Sequence, residues 1–320
     1  MVRLNLLSPH SPFLRLLLII TFFSAASLIP FAGLLFLMAL PLVLFVLCVL
    51  NDPMKTMAAF LIGLCLLLIL LSFLQTVLPV LAIAAMGLAG IVMAQITRGK
   101  KSIELVILLP SFFILGAIAL YFVFGGMALS ISPWQLVEKH ITEAVEINIK
   151  LYKQLPLNPD EISALNDSKP AIILVFTRIF PALCTIAVLF TIWINALLGS
   201  KLLRKPGIIL PRFLTLTEWK APNWLVWIFI AGGGLSFVPH ALVSYFGINI
   251  FLVACFIYLL QGLAIVSFFF QSKNIPIFFR GLFYFLIAIQ QILMIAIAAV
   301  GFFDIWIDFR KYFRKDQAVN

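Results

Sequence analysis

Arg178 is the residue of this 320-residue chain whose type and place ask most for chemistry, because it stands about two turns into an apolar run that begins at Pro170. A guanidinium inside hydrocarbon costs at least a few kcal/mol unless it is paired or reaches water. Its two useful outcomes there are binding an anionic group and locking helices together; the bland alternative is snorkelling to the headgroups. Gln75 and Gln261 are uncharged polar residues in apolar segments, able to hydrogen-bond a solute or a neighbouring helix, and both join Arg178 as candidate ligand-binding positions. Gln290 and Gln291 have the same chemistry, and Asn195 reads as a helix–helix contact.

Asp304 and Asp308 stand four apart, which puts both carboxylates on one helix face at a membrane boundary. Lipid-phosphate enzymes hold magnesium against a diphosphate with such spacing. A second aspartate-rich motif is missing, since only Asp52 lies near another span, and Asp308 has Lys311 within pairing reach. No serine–histidine, cysteine–histidine or paired-glutamate arrangement occurs. His10, His140 and His240 are far apart, and Cys48, Cys65, Cys184 and Cys255 lie inside apolar runs without CxxC spacing, so neither a zinc site nor a disulfide is expected. The Arg98-Gly99-Lys100-Lys101 turn, followed by Ser102, lacks the first glycine of a phosphate loop because Ala94 stands there. The chain reads as a non-enzyme with no cofactor and no metal.

The elements that must position these residues follow from composition. Hydrophobic residues make up 64% of the chain and charged residues 11%, with a mean hydropathy of +1.18. No water-soluble fold could cover that much apolar surface, so the solvent is lipid. The net charge of +10 does not imply nucleic acid, because the basic residues sit at the ends of apolar runs, where they set topology and meet anionic headgroups. The expected fold is all-α: a polytopic transmembrane bundle of about eight or nine spans.

In order, the spans are expected at 13–29, 34–50, 56–75, 79–95, 103–124, 170–198, 224–238, 248–270 and 276–303. The N-terminus also resembles a signal peptide ending near Ser24-Ala25-Ala26, but apolar sequence continues to Leu50 and favours a retained first span. The organisation read from this is five helices over 1–127, an extracytoplasmic amphipathic segment over 128–169, a sixth span within 170–205, further membrane segments over 206–303 and a charged tail from 304. The middle segment opens on Ser132-Pro133-Trp134-Gln135, which is an N-cap, a first-turn proline and a glutamine three residues on. Trp134, Val137, Ile141, Ala144, Val145, Tyr152 and Leu155 recur at helical spacing, with Glu138, Glu143 and Glu146 drawn to the other side. Asn158-Pro159 signals a second, shorter helix before the sixth span.

With the N-terminus in the cytoplasm, positive-inside counting holds for eight segments and fails at the ninth, which would export Arg310, Lys311, Arg314 and Lys315. The short seventh segment, carrying Gly232-Gly233-Gly234, is therefore the expected re-entrant or broken helix.

Three stretches carry a family likeness: Trp219-Lys220-Ala221-Pro222-Asn223-Trp224-Leu225-Val226-Trp227, then Tyr258-Leu259-Leu260-Gln261-Gly262-Leu263-Ala264, then Gly301-Phe302-Phe303-Asp304 with Asp308-Phe309-Arg310. They resemble the YybS-like family of uncharacterised bacterial polytopic membrane proteins. Trp219, Pro222, Gly262, Asp304, Asp308 and Arg310 read as its structural motif. That family in turn is similar to the substrate-binding S components of energy-coupling-factor transporters, and the first six spans here share their layout. The resemblance implies a solute site in the outer half, near Arg178 and Trp134, and an energising membrane module with ATPases as partner. Against it stand about three extra segments and a first span without an alanine-spaced docking face. The expected function is a small-solute-binding or transport component without its own ATPase. The alternatives are a non-catalytic scaffold working with envelope proteins in division or sporulation, and, behind both, a lipid-phosphate enzyme built on Asp304 and Asp308.

Overall fold

A backbone amide in hydrocarbon has no water to bond, so every crossing segment must close its own hydrogen bonds, and helices do so within a single strand of chain. The computed structural model describes residues 12–29, 32–73, 78–154, 159–203 and 219–311, and every regular element among them is an α-helix. These are α1 (Pro12–Ala26), α2 (Gly33–Leu50), α3 (Pro53–Phe73), α4 (Leu78–Arg98), α5 (Ile103–Ala128), α6 (Pro133–Tyr152), α7 (Pro159–Leu202), α8 (Leu225–Ser236), α9 (Ala241–Ser272), α10 (Ile277–Ile289) and α11 (Gln291–Ile307). Six of them are long and apolar enough to cross a membrane, or seven if the bent pair α10–α11 counts as one span. That is fewer than the eight or nine expected. The difference lies in α1 and α8, whose 15 and 12 residues fall short of the roughly 20 a bilayer requires.

The chain divides into two compact units. Met1–Gly125 with Ala187–Leu214 form one, and Gly126–Ile186 with Thr215–Asn320 form the other. In the first, small residues let helices touch: a Cβ at Gly90 of α4 would run into the backbone of Pro41 in α2. Arg98, the last residue of α4, then caps α2. Its Nη2 donates to the carbonyls of Cys48 at 2.5 Å, Val49 at 3.2 Å and Asn51 at 2.7 Å, groups with no helical partner of their own. The C-terminal part of α7 is pinned to α2 by Asn195, whose Nδ2 donates to Met38 O at 2.9 Å and to Thr191 O at 2.8 Å. Asn195 is thus the structural contact the sequence suggests.

In the second unit α6 starts as its sequence dictates. Ser132 Oγ accepts from Gln135 N at 3.2 Å, and Gln135 Oε1 accepts from Ser132 N at 2.8 Å, a complete capping box. Leu136, Val137 and Ile149 are its buried positions, whereas Trp134 and Tyr152 are exposed. The α8–α9 hairpin closes where Gly232 meets Phe251 N and Gly247 meets Ser236 N. Helix α11 runs antiparallel to α9: Gly262 lies against Ile297, and Gly301 lies against Tyr258.

Two expectations are corrected here. The short helix expected before a separate sixth span does not exist, because α7 is one helix of 44 residues that runs through Pro170 and Pro181. At 1.5 Å per residue it is about 66 Å long, far more than the ~30 Å hydrocarbon layer. The break lies in the ninth segment, while the seventh is a continuous helix too short to cross a membrane by itself. Helix α8 continues through its three glycines, while α10 and α11 meet at 104° about Gln290, whose φ of −92° and ψ of 104° are extended. Gln290 and Gln291 are both exposed at this elbow.

Candidate functional site

Pro181 has no N–H and its ring disturbs the preceding turn of α7, three residues after Arg178. The side chain of Asn249, from α9, reaches into that disturbed turn. Its Oδ1 accepts from Ala182 N at 2.7 Å, and its Nδ2 donates to Arg178 O at 2.9 Å and to Tyr245 O at 2.8 Å. Ala182 N–H and Arg178 C=O are the pair an undisturbed helix would join directly, so the carboxamide splices the helix while fastening it to α9. The Arg178 backbone is therefore fixed from outside its own helix.

Its side chain is fixed as well. Arg178 Nη2 donates to Ser244 Oγ, and that hydroxyl donates onward to Ser236 O at 2.7 Å. The guanidinium carbon lies 4.8 Å from the centre of the Tyr245 ring, within cation–π range. Arg178 Nε is buried and has no hydrogen-bond partner. Beside it, Thr177 is only 6% exposed and its Oγ1 also lacks a partner. Thr177 stands out on α7: Ser168, Thr185 and Thr191 each bond the carbonyl four residues back at 2.8 Å, the usual resting place of a helical hydroxyl.

Both orphans border a cleft of about 610 Å³ within this unit. Helix α6 contributes Trp134, Glu138 and Thr142, at spacings of four that share one face. Helix α7 contributes Lys169, Ile173 and Leu174 along with Thr177 and Arg178, and Tyr245 closes the α9 side. Lys169 Nζ is 2.6 Å from Glu146 Oε1, and this bond together with the lysine charge holds the Glu146 carboxyl below its ordinary value. Glu138 has no ion pair with any described residue. The structure thus brings Arg178 and Trp134 to one cavity, as their positions in the sequence suggest. Ser244, Tyr245, Asn249 and Thr177 are additions that periodicity could not supply; the readable signal for Asn249 was a carboxamide in an apolar helix and a proline close after the arginine.

The other two ligand-binding expectations do not join them. Gln75 lies outside the described residues. Gln261 is placed elsewhere, because both ends of its amide are already used: Oε1 accepts from Ala221 N at 3.2 Å and Nε2 donates to Asp304 Oδ2 at 3.1 Å. Gln261 and Asp304 are each 2% exposed and Arg310 is 4% exposed. Arg310 Nη1 reaches Asp304 Oδ2 at 3.3 Å and Nη2 donates to Trp219 O at 2.8 Å, while Phe309 N donates to Asp304 Oδ1 at 2.9 Å. Pro222 turns the chain into α8 through Leu225 N to Pro222 O at 3.0 Å, and Gly262 gives α11 its close approach. Buried Gln261, Asp304 and Arg310, with the backbone of Trp219, Ala221 and Phe309, therefore form one latch tying the start of α8, the middle of α9 and the end of α11.

Asp304 and Asp308 do not form an open carboxylate pair. The oxygens of Asp304 are spent inside the latch, and Asp308 pairs with Lys220 at 3.0 Å and Lys311 at 3.4 Å, bonds that hold its carboxyl below the usual range. Asp308 also ends α11, with a φ of 46° that aspartate tolerates. Among the described residues no group of three histidine, cysteine or carboxylate side chains is placed to hold a metal ion.

Neither a curated protein nor a solved structure matches the chain. A family model described as "Predicted membrane protein (DUF2232)" matches residues 17–305, from within α1 to within α11. Since that match takes in nearly the whole chain and every helix that builds the cleft and the latch, the protein belongs to the DUF2232 family of predicted membrane proteins.

Proposed function

We propose that this protein is a membrane-embedded small-solute-binding component, with no ATPase site of its own, and that the Arg178 cleft is where the solute binds. The observation that carries the reading is a pair of buried polar atoms, Thr177 Oγ1 and Arg178 Nε, left without partners beside a cleft. An unsatisfied buried polar atom costs about 1–3 kcal/mol, and a bound anionic group would recover that cost at both positions. The cleft volume falls in the range of small-molecule sites, and its aromatic and aliphatic surface is joined by convergent polar groups that could orient a solute. Coupling to a separate energising module is the finer part of the proposal and rests on the likeness to transporter S components.

The full-length protein, purified in mild detergent, is expected to carry a small molecule detectable by mass spectrometry after denaturation. Arg178→Gln should reduce the retained amount about tenfold or more, the worth of one charge-assisted hydrogen bond, while the melting temperature stays within a few degrees. Wild type and variant emerging equally empty, or equally loaded, would count against the site. Cross-linking in cells separates the two broader roles: a solute-binding component should recover transport partners, whereas a scaffold should recover envelope proteins.

A further inference from the structure

Three full charges line the cleft, Glu138, Lys169 and Arg178, and one of them is already paired from outside it. Lys169 is neutralised by Glu146, which leaves Arg178 on α7 and Glu138 on α6 as the charges available to a ligand. Counted from the Glu146–Lys169 pair, Glu138 lies eight residues back along α6 and Arg178 nine residues on along α7, rises of about 12 and 14 Å. Both line the same cleft, from different helices, at similar rises from that pair. Their exposure differs: Thr177 is buried and Arg178 partly buried, each with an unpartnered polar atom, while Glu138 is exposed. Trp134, Ile173 and Leu174 line the same cleft with apolar surface.

Resting on the binding reading above, we infer that the ligand is a zwitterion with an apolar body. Its anionic group meets Arg178 and Thr177, its ammonium faces Glu138, and its carbon skeleton packs against Trp134, Ile173 and Leu174. Two sources share this chemistry: a free amino-acid-like solute and the phosphoethanolamine headgroup of a lipid. An exposed glutamate is ordinarily solvated and nothing more, so the test must show that Glu138 reads the ammonium.

Two probe series decide this on the full-length protein in mild detergent, with affinity measured by thermal shift and calorimetry. The soluble series is L-phenylalanine, 3-phenylpropionate, which lacks the ammonium, and 2-phenylethylamine, which lacks the carboxylate. The lipid series is lysophosphatidylethanolamine and lysophosphatidylglycerol. In whichever series binds, the zwitterion should exceed its anion-only relative by about two- to fivefold, the value of a partly exposed ion pair. The cation-only probe should not bind. Glu138→Gln should bring the zwitterion down to the level of the anion, Glu138→Asp should retain part of the preference, and Arg178→Gln and Thr177→Val should weaken both. Binding confined to the soluble series identifies a free solute, and binding confined to the lipid series a headgroup. Equal binding of zwitterion and anion, with Arg178→Gln still disruptive, overturns the zwitterion and leaves the site standing. Absence of binding in both series, or indifference to Arg178→Gln, overturns both.

Discussion

Asn249 is the residue on which the geometry of Arg178 depends most. It supplies the hydrogen bonds that Pro181 disturbs, so removing it leaves Ala182 N–H and Arg178 C=O to find each other across a distorted turn. Asn249→Ala should lower stability by about 1–3 kcal/mol. Pro181→Ala lets the helix close its own bond again, so the same Asn249→Ala change should cost clearly less in that background. A double-mutant cycle of melting temperatures in detergent measures the difference, and identical costs in the two backgrounds would show that the carboxamide is not splicing the helix.

A second residue-level expectation concerns pH. Because Lys169 depresses the Glu146 carboxyl, the pair contributes stability at pH values above the unfolded carboxyl's ordinary 4.5 and loses it as pH falls through the lower folded value. The stability gap between wild type and Glu146→Gln should therefore be present at neutral pH and shrink as the solution is acidified below about 4.5. Parallel curves over that range would mean the ion pair is not formed in solution.

Among the elements, the clearest contrast is between α6 and α7. Helix α6 was legible to its first residue, because Ser132, Pro133 and Gln135 form a local code that needs nothing outside the segment. Helix α7 was not, because Asn158-Pro159 signals a start, correctly, while Pro170 looks like a second start and is instead carried inside the helix. A proline tolerated mid-helix is decided by what packs beside it, and at Pro181 that is Asn249 from more than sixty residues away in sequence. The elbow at Gln290 was hidden for the same kind of reason. Helices of thirteen and seventeen residues on either side of it read as one span by hydropathy, and α11 packs against α9. That packing runs through Gly262 and Gly301, where a Cβ at Gly301 would strike Tyr258 O and stand 2.7 Å from Gly262 N. Gly301→Ala should cost about 1–3 kcal/mol by overpacking and, by levering α11 outward, should open the Asp304–Arg310 latch to protease. Wild-type melting and proteolysis in this variant would mean the crossing has slack.

For the molecule as a whole, the latch bears on a conflict in the distribution of charge. Positive-inside counting assigns Lys201 to Lys220 to the cytoplasm, and a ninth crossing would then export the basic residues from Arg310 onward. Yet Lys220 pairs with Asp308 at 3.0 Å, and Arg310 bonds the Trp219 carbonyl at 2.8 Å, so the end of α11 stands on the same side as residues 219–220. A bilayer cannot lie between groups in contact. The end of α11 therefore shares a side with residues 219–220, and the 104° bend between α10 and α11 marks a broken span or a re-entrant pair. Ser244 precedes Gln261 by 17 residues of α9, about 26 Å of rise, so the latch and the Arg178 cleft stand close to one hydrocarbon thickness apart along that helix. A fluorescent-protein fusion at the C-terminus should glow, as such proteins do only in the cytoplasm. Alkaline phosphatase at the same point should be inactive, but active when inserted after Tyr152. An active C-terminal phosphatase would put residues 219–220 outside together with the end of α11, against the positive-inside count.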